Sequence, residues 1–140
     1  MLLYMSDINN YKFRKGEKII GENRIDSLFS EGKSFVAFPL RVVYLKTELS
    51  SSSSSISVLV SVPKKRIKSA VKRNRIKRQV REAYRLNKHY LEVVTESIDQ
   101  HLDIAFVFVR DELMEYSIIE KGMRKGLTEI ANRLSCNKKE

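Results

Sequence analysis

The sequence predicts an α+β fold, a single-domain sandwich of one sheet and packed helices, and three stretches lead to that reading. Ile56, Val58, Val60 and Val62 alternate with Ser57, Leu59 and Ser61, the spacing of a strand with one strongly apolar face. Asp103 to Val109 is an almost continuous apolar run of strand length, as expected for a mid-sheet strand covered on both faces. Ile119, Met123, Leu127, Ile130 and Leu134 recur every three or four residues, which predicts an amphipathic closing helix able to cover such a sheet. A chain of 140 residues with 42% hydrophobic and 9% aromatic residues suits one domain over 1–140 with one compact core.

The other elements follow in order. Residues 1–20 have weak periodicity and many basic and aromatic residues, which suggests an N-terminal arm lying over the domain. Ile25, Leu28 and Phe29 fall at helical spacing and Gly32 follows as a stop, predicting a short first helix over 22–30. Lys33 to Lys46 is rich in β-branched and aromatic residues and is interrupted by Pro39, as at a bulge or tight bend, so two strand segments are expected. Six serines, Ser50 to Ser55, read as a flexible hairpin loop rather than a domain boundary. One long helix is expected from about Ser69 to about His89, and a tail over 135–140. The order is then αβββαβα.

Charge singles out the functional segment. The chain holds 27 Lys and Arg against 17 Asp and Glu, a net charge of +10. Lys64 to Lys88 alone contains twelve cations and one acid, Glu82, a local charge of +11 that leaves the rest near −1. A polyanionic partner is therefore expected at this one segment. With Ser69 as N-cap, a turn of about 100° per residue places Ile76, Val80, Ala83 and Tyr84 on one arc, with Leu86 at its edge. That arc faces the sheet. Asn74, Lys77, Arg78, Arg81 and Arg85 gather on the other side, with Ala70 at the N-terminal end and Val71 near the margin. Lys and Arg neutralise phosphates, and Arg and Asn donate oriented hydrogen bonds, which is what backbone recognition of a nucleic acid needs.

Other classes fit less well. An ordinary solvated helix would intersperse acids at i,i+4, and a membrane-surface helix would need bulk on the arc that the core requires. No short helix and tight turn precede the basic helix and no dimerisation heptad is present, so a DNA-groove reader is not expected. A single cysteine, Cys136, excludes an intrachain disulfide and a cysteine-rich metal site. No apolar run approaches the roughly 20 residues of a membrane helix, and the expected setting is soluble and cytoplasmic, without membrane contact. His89 and His101 stand apart from any paired acids, read as surface or helix-end residues, and supply no catalytic set.

The string Ala70-Val71-Lys72-Arg73-Asn74-Arg75-Ile76-Lys77-Arg78, preceded by Lys64-Lys65 and followed by Arg81, closely resembles the Arg-Asn-Arg signature of the bacterial ribonuclease P protein subunit. The likeness runs from about Lys12 to Leu134 and includes Leu28-Phe29-x-x-Gly32-Lys33. The resemblance implies the accessory subunit of a ribozyme that removes the 5′ leader of precursor tRNA, with the catalysis in the RNA. Mg²⁺ would be held by RNA and substrate, not by protein side chains. The implied partners are the catalytic RNA and precursor tRNA. The implied RNA contacts are Lys64, Lys65, Arg73, Asn74, Lys77, Arg78 and Arg81. A second set, Lys18, Phe29, Arg41 and Tyr44, would line a leader-binding cleft between the first helix and the sheet; the strand register around Tyr44 is open by one residue, and the alternative for Phe29 and Tyr44 is a place in the core. The implied fold is the α-β sandwich also found in the second domain of a ribosomal protein, with a left-handed parallel βαβ crossover that sequence patterns alone do not give. The alternative reading is a general RNA-binding or ribosome-associated module without a nuclease role.

Overall fold

The computed structural model describes residues 22–47, 56–98 and 101–138. In chain order these form α1 (Glu22–Glu31), β1 (Lys33–Ala37), β2 (Leu40–Thr47), β3 (Ile56–Ser61), α2 (Ala70–Asn87), α3 (His89–Ile98), β4 (His101–Phe108) and α4 (Tyr116–Lys138). The sheet runs β1-β2-β4-β3. β1–β2 and β2–β4 pair antiparallel, and β3–β4 pair parallel. The predicted α+β architecture and its parallel crossover are present.

Three expectations change. The basic helix ends at Asn87, and a separate helix, α3, follows within the crossover, so the described order is αβββααβα. β4 lies between β2 and β3, so those two strands are not a hairpin pair. The apolar β4 run fits that central slot, because an inner strand meets neighbours on both edges and cover on both faces. The closing helix continues through Ser135 to Lys138, where a tail was expected. The arm over 1–20, with Lys18, and the serine run 50–55 lie outside the described residues.

Strand alternation divides the core in two. One face presents Leu40, Val42, Tyr44, Ile56, Val58, Leu102, Ile104, Phe106 and Phe108 to α2, α3 and α4, with Ile76, Val80, Leu91, Ile119 and Met123 among the residues that cover it. The other face presents Val43 and Ala105 to Leu28 of α1, with Ile25, Leu45 and Leu59 alongside. Each large side chain buried here contributes about 1.5–3 kcal/mol.

Two glycines let α4 lie against the β1–β2 turn, which contains the cis peptide bond Phe38–Pro39. A Cβ at Gly122 would stand 2.3 Å from the Phe38 carbonyl oxygen and 3.0 Å from that of Ala37, both backbone atoms that cannot give way cheaply. At Gly126 the nearest atom would be a Val42 methyl carbon at 3.1 Å. Gly122→Ala is therefore expected to lower stability by about 1–3 kcal/mol in urea unfolding. Gly126→Ala, which meets side-chain atoms of Val42 and Ala37 but no backbone, should cost clearly less.

Candidate nucleic-acid interface

α2 begins where the sequence places it. Ser69 is extended (φ −74°, ψ 122°), and its hydroxyl accepts a hydrogen bond from the Lys72 amide at 3.3 Å, capping the first turn. Ile76, Val80, Ala83 and Tyr84 are fully buried, so the apolar arc is the anchor of the helix. That anchoring decides which side chains face water: Asn74, Lys77, Arg78, Arg81, Glu82 and Arg85 together line a depression of about 470 Å³ on the opposite side. Five of the six carry the predicted cation-and-amide pattern.

Glu82 is the acid within it. Arg85 Nε donates to Glu82 Oε2 at 3.0 Å, and this bond holds the Glu82 carboxyl below its usual range against the opposing effect of burial. Glu82 therefore stays ionised at neutral pH and ties down one arginine. Tyr116 of α4 interacts with the same two side chains; burial, reinforced by Glu120, pushes its hydroxyl up to about 12, so it remains a neutral donor, with Glu120 as its acceptor at 3.3 Å.

The remaining predicted contacts divide. Lys64 and Lys65 are exposed in the turn between β3 and α2, where the Arg66 and Ile67 amides both donate to the Pro63 carbonyl. Arg73 is engaged within the protein: its Nη1 donates to the carbonyls of Ile67 and Lys68, each at 2.9 Å, which fastens that turn to α2. Lys88, counted with the basic segment, is buried and stands 3.8 Å from Glu92. Arg75 is exposed on the flank of the helix.

Of the second predicted set, Lys18 lies outside the described residues, and Tyr44 parts from Phe29 and Arg41. Phe29 of α1 is 47% exposed. Arg41 is also exposed, and alternation with Val43 places it on the α1 side of the sheet. Tyr44 points the other way: it is 5% exposed, lies in the core with α4, and its hydroxyl accepts from Arg133 Nη1 at 3.4 Å. Tyr44 is thus a core residue, and Val43 is the one that faces α1. A shift of one residue along a strand exchanges the two faces, an ambiguity that sequence alone leaves open.

His101 also departs from expectation. Rather than lying at the surface, it is buried at the start of β4, with Nε2 2.9 Å from Ser57 Oγ and 3.0 Å from Asp103 Oδ1. Both contacts converge on one ring nitrogen, whereas a nucleophilic relay needs serine and carboxylate on opposite nitrogens. No group of three or more His, Cys, Asp or Glu that could hold a metal occurs among the described residues, and no described helix is long and apolar enough to cross a membrane.

Two outcomes separate binding from folding at this face. Arg73→Ala should lower stability by about 1–2 kcal/mol in thermal or urea unfolding, through its two carbonyl partners, while Arg78→Ala and Arg81→Ala leave stability nearly unchanged. Glu82→Gln should release Arg85 and raise affinity for a polyanionic RNA several-fold at low salt, measured by filter binding.

Comparison with known proteins gives the family and the fold. The family model for ribonuclease P matches residues 13–131. The ribonuclease P protein component of Porphyromonas gingivalis is 46% identical over 131 residues, spanning 93% of this chain and 94% of the relative. That of Chlorobium phaeobacteroides is 38% identical over 112 residues, spanning 75% and 77%. Among solved structures, a Staphylococcus aureus RNase P protein mutant superposes with a TM-score of 0.64 at 21% identity, covering 91% of this chain and 96% of that one. The RNase P protein of Thermotoga maritima superposes with a TM-score of 0.59 at 22% identity, covering 84% and 96%; at these identities the likeness shows the fold. With its signature on α2, a family model matching residues 13–131 and a relative spanning 93% of the chain, this protein belongs to the ribonuclease P protein family.

Proposed function

We propose that this chain is the protein subunit of ribonuclease P, and that the cation face of α2 holds the catalytic RNA while the enzyme removes the 5′ leader of precursor tRNA. One observation carries the reading: a helix bearing the family signature is anchored by its apolar arc and turns Asn74, Lys77, Arg78 and Arg81 together into solvent. Lys64 and Lys65 extend that face beyond its N-terminal end. Such a surface lowers the repulsion between two RNAs brought together, which is the work otherwise left to divalent cations. In this reading Mg²⁺ and the bond cleavage belong to the RNA and its substrate, and the chain positions them. Phe29 and Arg41, on the α1 side of the sheet, are the leader contacts this reading retains.

Cleavage of a precursor tRNA by the cognate catalytic RNA at low Mg²⁺ tests it. Wild-type protein should restore correct 5′ maturation, and an Arg78→Ala/Arg81→Ala variant of unchanged stability should lose most of that rescue. If wild type gives no rescue while still binding RNA, the chain is a general RNA-binding module instead.

A further inference from the structure

A second groove lies away from α2, at the other end of the sheet. It is formed by Phe35, Val36 and Ala37 of β1 with residues of α4, including Arg124, Lys125, Glu129 and Arg133, and has a volume of about 590 Å³. β1 is the edge strand of the described sheet, whereas α2 packs over β3 at the opposite edge. The glycine-mediated approach of α4 to the β1–β2 turn shapes the groove wall.

Its chemistry is specific. The Arg133 guanidinium lies over the Phe35 ring, 4.7 Å from the centroid, and is held there by Glu129 at 2.9 Å and by the Tyr44 hydroxyl. These bonds also raise the Arg133 pKa, so the cation is permanent. A second stack, Arg110 over Phe38 at 5.5 Å, stands at the adjoining turn, where Phe38 is 51% exposed and Val36 68%. Three cations line the groove: Arg133 is bonded to Glu129, Arg124 is paired with Glu120 at 3.1 Å, and Lys125 stands exposed beside them.

We propose that this groove is a second RNA-binding surface, which takes a single-stranded segment by stacking bases on the Arg133–Phe35 pair while Lys125 meets the phosphates. A guanidinium fixed over an aromatic ring offers its outer face as a flat cationic platform, to which every base is complementary regardless of sequence. A strand edge can also accept an extended peptide, but a peptide backbone would leave both Arg-aromatic stacks without a matching π-face. A second copy of this chain, itself at +10, is disfavoured by charge.

The test uses the full chain carrying Arg78→Ala/Arg81→Ala, so that failure of the α2 reading and failure of this one remain distinct. A labelled oligouridylate of about ten nucleotides is titrated at low salt, with amide shifts recorded in parallel. Shifts should appear at Phe35, Val36, Ala37 and Lys125. Lys125→Glu, at an exposed position that leaves packing intact, should weaken binding about tenfold, and Arg133→Lys, which keeps the charge but loses the flat platform, about fivefold or more. Unshifted β1 and α4 amides at saturating oligonucleotide would overturn the proposal. So would an alternating glutamate-valine peptide that shifts these amides when the oligonucleotide does not.

Discussion

The structure depends on the burial of one arc of α2. Arg73, Lys77, Arg81 and Arg85 follow one another at i,i+4, and each such like-charge pair destabilises an isolated helix by about 0.2–0.5 kcal/mol. No acid in the first turn offsets them, and only the Glu82–Arg85 contact relieves the last. Against that cost stand Ile76, Val80 and Tyr84, fully buried on the sheet and worth about 1.5–3 kcal/mol each. The anchor outweighs the repulsion. A row of cations can therefore be held rigidly in water, and its binding energy for an anion is not spent on ordering the helix.

The sheet makes this possible by being covered twice. β4 takes the central position, paired with β2 on one side and β3 on the other, and gives its larger side chains to the three-helix side and Ala105 to α1. α4 closes the three-helix side with five buried residues at helical spacing and packs against both α2 and α3. Its other contacts, at β1, build the second groove. One helix thus supports the cation face of α2 and lines the groove at the far edge.

The sequence disclosed most clearly what depends on period and charge. The α2 arc, its Ser69 cap, the central β4 and the α4 stripe all repeat over several turns or residues, and all are found. What it did not disclose depends on register or on tertiary partners. Tyr44 and Val43 are both plausible inward residues, and only pairing with β1 and β4 decides which faces α1. His101 is buried because Ser57 and Asp103 meet it from neighbouring positions of β3 and β4, a contact across 44 residues in one case. Arg73 reads as a free cation until the turn it fastens is seen. The break after Asn87 has no Gly or Pro to mark it; the Asn87 side chain donates back to the Ala83 carbonyl at 2.8 Å and accepts from Arg124 at 3.3 Å, a partner supplied by α4.

If the exposed face of α2 meets RNA phosphates, the salt dependence of RNA binding counts those contacts directly. Wild type should be compared with a Lys77→Ala/Arg78→Ala/Arg81→Ala variant of confirmed fold, across a range of salt concentrations. The slope of log K against log salt should become shallower by about 2–3 in the variant, since each lost phosphate contact removes roughly 0.7–0.9. An unchanged slope would mean that RNA binds elsewhere on the molecule and would contradict an RNA-binding role for this face.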